Sequence, residues 1–265
     1  MIITSRTNPT VIAAAALKDK KYRDKSHTFL IEGKKLFLEA IASGVTMERV
    51  FAVEALVPFC RERLPDGEIV TVSESVLEKI STEKSPEGVI SVAKYIDKCH
   101  NINKIYTIED FCGEARRVLL LSSLRDPGNL GTVIRSAAAF GCEEILLSAD
   151  CADLYHPRTI RAAMGTLFRQ TVTRVPSLAD AVTAMTAGGY RVYAAVLDHK
   201  AERLDCMKID RKTAFIIGNE GHGIDPAVTA AAGRTVFIPM APGVESLNAA
   251  AAAAVFLWQT MTALS

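Results

Sequence analysis

The absences in this chain narrow the field first. It has almost no net charge, +1 over 265 residues, so total basicity points to no polyanionic partner, and any nucleic-acid surface must come from local clustering. It has no long apolar run: the longest, Ala249 to Trp258, is ten residues, against roughly 18 to 20 for a membrane-spanning helix. Val11 to Leu17 makes a poor signal core, because only Arg6 precedes it and Lys18-Asp19-Lys20-Lys21 stand where a cleavage site would be; it reads as the apolar face of a first helix. The six cysteines include no C-x-x-C pair, which argues against a zinc site or a redox dithiol and suits free thiols in a reducing cytoplasm. His27, His100, His156, His199 and His222 are spread out, so no metal is expected. Neither a G-x-G-x-x-G turn nor a G-x-x-x-x-G-K-[ST] loop is present. A nucleotide held by its phosphates, and with it a dinucleotide-dependent oxidoreductase, is therefore disfavoured.

What is present is a hydrophobic fraction of 49%, ample for a packed core, and a texture that changes near residue 100. Up to residue 98, short apolar runs at Val50 to Val53, Ile69 to Val72 and Val89 to Val92 alternate with helix-like stretches such as Lys34 to Ser43 and Ser73 to Ile80. This predicts a small α/β domain. Residues 99–116 are polar without a strong period and read as a connection. From 117 to 265 the alternation is regular. Runs at Val118 to Ser122, Glu144 to Leu147, Arg191 to Val196, Ala214 to Ile217 and Val236 to Ile238 read as strands buried on both faces. Helical segments lie between them at Leu130 to Phe140, Pro157 to Met164, Ser177 to Thr186 and Ser246 to Thr262. The fold class expected is α/β, with a C-terminal doubly wound parallel sheet whose ligand sits outside the carboxyl ends of its strands.

Three strands run into unusual loops. They are Asp126-Pro127-Gly128-Asn129-Leu130-Gly131-Thr132, Gly218-Asn219-Glu220-Gly221-His222-Gly223-Ile224-Asp225-Pro226 and Pro239-Met240-Ala241-Pro242-Gly243-Val244-Glu245-Ser246-Leu247-Asn248. Glycine permits close backbone approach to a ligand, and Asn or Ser at a helix start satisfies free N–H groups. One such loop is adequately explained as a turn with a cap. Three on strand ends of one sheet suggest a shared site for a ligand without phosphate, held by backbone and apolar walls.

The N-x-G-x-x-x-R of Asn129, Gly131 and Arg135 resembles the first motif of the SpoU/TrmH family of RNA ribose methyltransferases, in the SPOUT superfamily. Ile217 to Gly223 resembles the second, and Ile238-Pro239-Met240 with Glu245-Ser246-Leu247-Asn248 the third. Thr4-Ser5, Asn8-Pro9, Phe29 to Gly33 and Ser85-Pro86-Glu87-Gly88-Val89 resemble phrases of the family's N-terminal substrate-binding domain, with Glu87 where Gln is usual. The resemblance implies a ribosomal-protein-like RNA-binding domain over 1–98, a connection over 99–116, and a methyltransferase domain with a trefoil knot over 117–265. It implies a homodimer, S-adenosyl-L-methionine as cofactor, and methyl transfer to a ribose 2′-hydroxyl of RNA, ribosomal RNA being favoured over tRNA. Catalytic roles fall on Arg135, Asn129, Glu220, Ser246 and Asn248, and cofactor contacts on Gly218, Ile238, Met240 and Leu247. The competing expectations are a tRNA methyltransferase and a protein that binds RNA without modifying it.

For RNA phosphates, two basic clusters stand out. Lys18 to His27 holds five Lys/Arg against Asp19 and Asp24, with Lys20, Lys21 and Arg23 as candidates. Leu154 to Ala179 holds Arg158, Arg161, Arg169 and Arg174 with no acidic residue; the first three are the candidates there. Tyr155 and Phe168 could stack on bases, although core packing is the commoner fate of aromatics.

Overall fold

The computed structural model describes residues 2–97, 100–102, 104–198, 200–219, 221–244 and 246–264. The chain forms two compact units, one of residues 1–97 with 153–169 and one of 98–152 with 170–265.

In the first unit, α1 (Pro9–Ala16), α2 (Lys20–Ser26), β1 (Thr28–Glu32), α3 (Lys34–Ala42), β2 (Met47–Ala52), α4 (Val57–Arg63), β3 (Ile69–Thr71), α5 (Glu74–Ile80) and β4 (Val89–Lys94) follow in order. The strands form one sheet in the order β1-β4-β2-β3, with β4 antiparallel to both neighbours and β3 parallel to β2. Side chains alternate across a strand, and the core divides accordingly. Phe51, Ile90 and Val92 join Val11, Ala14, Val76 and Ile80 of α1 and α5, whereas Val50, Ala52 and Val89 join Phe37 of α3 and Cys60 of α4. Local chemistry sets the helix starts: Asn8 accepts from the Thr10 N–H at 2.9 Å with Pro9 as first helical residue, and Asp19 accepts from Lys21.

The second unit begins with β5 (His100–Ile102) and α6 (Glu109–Cys112), continues through β6 (Val118–Leu121), α7 (Pro127–Ala139) and β7 (Glu144–Leu147), and is then interrupted. Residues 153–169, carrying α8 (Pro157–Ala163), cluster with the first unit. There Tyr155 stacks on Tyr95 at 3.9 Å between ring centres and meets Phe29 at 4.6 Å. The chain returns through β8 (Thr171–Arg174), α9 (Leu178–Ala187), β9 (Arg191–Ala195), β10 (Glu202–Arg203), β11 (Thr213–Ile217), α10 (Pro226–Ala232), β12 (Thr235–Phe237) and α11 (Ala249–Leu264).

These strands make an eight-stranded sheet, β10-β12-β9-β11-β6-β7-β8-β5, parallel at every pairing. β6, β7 and β11 are buried along their whole length, as strands covered by helices on both faces must be. One face packs Leu120, Leu146, Val192 and Ile216 against Leu178, Val182 and Met185 of α9 and Val228 of α10. α7 and α11 pack together, with Phe256 of α11 against Phe215 at 4.8 Å. The architecture is the expected small α/β unit with a doubly wound parallel sheet. It differs from the pattern-based reading within 99–116. β5 pairs with β8 there, and Tyr106 and Phe111 are buried in the second unit's core. The buried Glu144 carboxylate holds this segment, accepting from the Tyr106 hydroxyl and lying 2.8 Å from Arg116.

Candidate active site

Because every pairing in the larger sheet is parallel, the loops after β6, β11 and β12 leave from the same end of the sheet, the carboxyl ends of its strands. Each of the three loops is fixed by chemistry visible in its residues.

The first loop ends in a cap. Asp126 accepts from the Asn129 N–H at 2.8 Å, and Pro127 occupies the first turn of α7. Ahead of it, Ser123 sits in the left-handed region at φ 57°, a conformation that costs a non-glycine residue energy and is held by its surroundings. Its N–H donates to Ser148 Oγ at 2.8 Å and its carbonyl accepts from Asn219 Nδ2 at 3.1 Å.

The second loop closes on itself. Asn219 and Gly223 exchange both backbone hydrogen bonds at 2.9 Å, and Asn219 Oδ1 accepts from the Gly221 and His222 N–H groups at 2.8 and 3.3 Å. A Cβ at Gly218 would lie 2.4 Å from the Gly223 carbonyl carbon and 2.7 Å from the Ile224 nitrogen. Glycine is therefore required there by the approach of one backbone to another. Glu220 lies outside the described residues.

The third loop leaves β12 through half-buried Ile238, Pro239 and Met240 and passes through exposed Ser246 and Leu247. It ends at Asn248, whose Oδ1 accepts from the Ala250 N–H at 2.9 Å and so caps α11. The Nδ2 of the same residue donates to Asn129 Oδ1 at 3.2 Å. The first and third loops are thus joined through the two asparagines, and the first and second through Asn219. Asn219 and Ser123 were not singled out from the sequence. Asn219 was legible as part of the second motif, but nothing in a serine's identity announces a positive φ.

Arg135 lies farther along α7, exposed, and its side chain makes no hydrogen bond or ion pair with the described residues. Long helical side chains lean back over the preceding turn, and in that direction position i−4 is the side-chain-free Gly131. The G-x-x-x-R spacing therefore puts no side chain at the position over which Arg135 leans. Between 213 and 225, and again between 235 and 248, the chain carries no Lys or Arg. These two loops offer backbone groups and the apolar side chains Ile238, Met240 and Leu247. That donor set fits an adenosine-type ligand without phosphate and would serve a phosphorylated one poorly.

The RNA candidates all fall in the first unit, where the clusters near residues 20 and 160, distant in sequence, belong to one compact body. They are not equivalent. Arg23 is 1% exposed. Its guanidinium donates to the Leu17 and Lys18 carbonyls at 2.7 and 2.8 Å and pairs with Asp153 at 2.5 Å. Those commitments correct its assignment as a phosphate contact: it is a buried tie. Lys20 pairs with Asp24, Arg161 with Glu83, and Arg169 with Glu39 at 3.1 Å. Lys21 and Arg158 are exposed. Tyr155 and Phe168, at 3% and 0% exposure, belong to the core. In the second unit Arg174 is structural too, donating to the carbonyls of Ser148, Ala149, Cys151 and Ala152 at 3.2, 2.9, 2.9 and 2.6 Å.

Comparison with known proteins agrees with this layout. Residues 116–258 match the SpoU rRNA Methylase family, and residues 8–91 match the MRM3-like substrate binding domain. The chain is 33% identical to the Bacillus subtilis (strain 168) 23S rRNA (guanosine(2553)-2'-O)-methyltransferase RlmP, over 97% of each protein. It is 30% identical to the Streptomyces viridochromogenes 23S rRNA (uridine(2479)-2'-O)-methyltransferase, over 98% of this chain and 91% of that protein. Among solved structures, an AdoMet-bound rRNA methyltransferase from Sinorhizobium meliloti superposes with a TM-score of 0.84 at 28% identity, covering 100% of this chain and 98% of the other. With its family match spanning more than half its length and relatives matching nearly end to end, the chain belongs to the SpoU rRNA methylase family.

Proposed function

We propose that this protein, an S-adenosylmethionine-dependent RNA 2′-O-methyltransferase, acts on ribosomal RNA of the large subunit. The carrying observation is the joining of the three loops at the carboxyl end of the sheet, through the Asn248–Asn129 and Asn219–Ser123 hydrogen bonds, with the uncommitted Arg135 on the helix that the first loop opens. The 23S rRNA activities in the names of its relatives support the choice of RNA.

S-adenosylmethionine supplies an activated methyl on a sulfonium, so transfer to oxygen needs no metal. Gly218, Ile238, Met240 and Leu247 would hold it, the glycine by letting the second loop close against Gly223 and the others as apolar walls. The protein's remaining work is to align the 2′-hydroxyl and handle its charge. A guanidinium keeps its proton below about pH 12, so Arg135 is no general base. It grips phosphate and stabilises the developing alkoxide through charge-assisted hydrogen bonds, the 2′-hydroxyl proton leaving to that phosphate or to water. Asn129, fixed by Asn248, orients the ribose or Arg135. Glu220 and Ser246 complete the catalytic set by resemblance.

Residues 1–98 then serve as the RNA-binding domain and 117–265 as the catalytic domain, with Lys20, Lys21, Arg158, Arg161 and Arg169 along the RNA path. The protein works as a homodimer in the cytoplasm. Val255 and Trp258, 38% and 51% exposed on α11, support a second copy as the cover for that helix. Among the described residues, no helix is long and apolar enough to cross a membrane, and no cluster of His, Cys, Asp or Glu could hold a metal ion.

The test is incubation with tritiated S-adenosylmethionine and unmodified total RNA, beside an Arg135→Ala variant. Label in large-subunit ribosomal RNA that survives alkaline hydrolysis, and falls by about 10²-fold or more in the variant, is the expected result. Cofactor binding with no label in any RNA would favour a binding-only protein; absence of cofactor binding as well would remove the reading.

A further inference from the structure

Arg125 and Arg135 are the two basic residues of the segment 122–152, which supplies both the first loop and the loop after β7. Arg125 immediately precedes the Asp126 cap. Its only partner among the described residues is Asp150, at 3.1 Å from Nη2. A guanidinium has five N–H donors, so most of its capacity is unused, and the side chain remains 66% exposed. Arg174 and Arg23, by contrast, spend theirs on backbone carbonyls and a carboxylate. An ion pair this exposed adds little to stability, yet its acceptor is held with unusual care.

Asp150 stands on the loop after β7, and β7 is the direct neighbour of β6 in the sheet. Arg174 pins that loop by its four carbonyls. The Ala152 N–H donates to the Leu124 carbonyl at 2.8 Å, and Ser148 Oγ both accepts from the Ser123 N–H and donates to Asp150 at 2.7 Å. Burial raises the Asp150 carboxyl, but hydrogen bonds from Ser148, Ser123 and Arg125 outweigh it and hold the group below the usual carboxylate range. A rigid, ionised acceptor therefore restrains one arm of Arg125 and leaves the rest facing solvent beside the loop that carries Asn129.

We propose that Arg125 grips a backbone phosphate of the RNA strand flanking the target nucleotide, and that Asp150 is its positioning residue. The assignment rests on the reading of the protein as an RNA methyltransferase. Arg125 spans to the phosphate by charge-assisted bonds, while Asp150 limits its rotamers and lowers the entropy lost on binding.

The test is filter binding of unmodified large-subunit ribosomal RNA over a salt series, with methylation and cofactor affinity measured in parallel, for wild type, Arg125→Ala, Arg125→Lys and Asp150→Asn. Arg125→Ala is expected to weaken RNA binding about tenfold and to reduce the slope of log Kd against log salt by about 0.7 to 0.9, the loss of one phosphate contact. Its cofactor affinity should stay near wild type, and the loss in methylation should appear as a higher KM for RNA. Arg125→Lys should restore the slope with part of the affinity, and Asp150→Asn should keep the slope while weakening binding a few-fold. An unchanged slope in Arg125→Ala, or equal losses of melting temperature in Arg125→Ala and Asp150→Asn with RNA affinity intact, would overturn the proposal by making the pair structural. Wild type that binds RNA with the expected Arg125 effects but transfers no methyl would support the contact and reject the methyltransferase reading.

Discussion

At the scale of single residues, the site is shaped as much by what a side chain prevents as by what it offers. Gly218 has no room for a methyl group against the Gly223 carbonyl and the Ile224 nitrogen. Gly218→Ala must open the second loop, and we expect cofactor affinity to fall by more than about tenfold, or 1.4 kcal/mol, with the far-UV spectrum retained; isothermal titration and circular dichroism check both. The cysteines show the opposite case, in which burial silences chemistry. Burial pushes the Cys142 thiol up to about 12 and raises Cys151 and Cys60 as well. A raised thiol value means less thiolate at neutral pH, and the thiolate is the nucleophile. In a Cys99→Ser background, Ellman's reagent should therefore modify the exposed Cys112 and Cys206 promptly and the three buried thiols only on unfolding. Fast reaction of a third thiol in the native protein would contradict this.

Helix starts tie the elements to the site. Asn248 uses its oxygen to cap α11 and its amide nitrogen to hold Asn129, so a helix start and the tie between two loops meet in one residue. The two uses can be separated. Asn248→Asp keeps a capping oxygen but loses the donor to Asn129, whereas Asn248→Ala loses both. We expect the alanine variant to be destabilised by about 1 kcal/mol and the aspartate variant to keep wild-type stability. Both should lose methyl transfer to a similar degree. Urea denaturation beside a methylation assay reads the two properties, and an aspartate variant with full activity would remove the tie from the mechanism. The same residues explain why the third motif was readable early. A cap, a turn and a ligand loop demand overlapping residue types, and the run from Glu245 to Asn248 satisfies all of them.

For the whole molecule, the notable fact is that residues 153–169 interrupt the second unit's sequence yet belong to the first. Their anchor is Asp153, 2.5 Å from the buried Arg23 guanidinium. Removing one partner of a buried pair leaves an uncompensated charge, a loss of about 3–5 kcal/mol. Loss of an exposed pair such as Lys20–Asp24 costs about 1 kcal/mol or less. Asp153→Ala should accordingly lower the thermal midpoint by many degrees and Lys20→Ala by little; thermal melts of the two variants, compared directly, would refute this if the losses were equal. The contrast also corrects the reading of local charge. A basic run in the sequence cannot distinguish a lysine facing solvent from an arginine consumed by carbonyls.

The sequence by itself determined the class of the fold, the three loops and the family, because these depend on local regularities: alternation along strands, caps at helix starts, and residue types at fixed spacing. It singled out Asn129, Arg135, Gly218 and Asn248 as candidates without any contact being known. It could not determine that β5 and β8 complete the sheet or that Tyr106 and Phe111 belong to its core, because a short edge pairing leaves little periodicity and a polar segment can still bury two aromatic rings. Nor could it tell Arg23 and Arg174, committed inside, from Arg125 and Arg135, with donors to spare. Those distinctions were made only by the tertiary structure, since whether a charged group is spent or available depends on the carbonyls and carboxylates that the rest of the chain brings within about 3 Å of it.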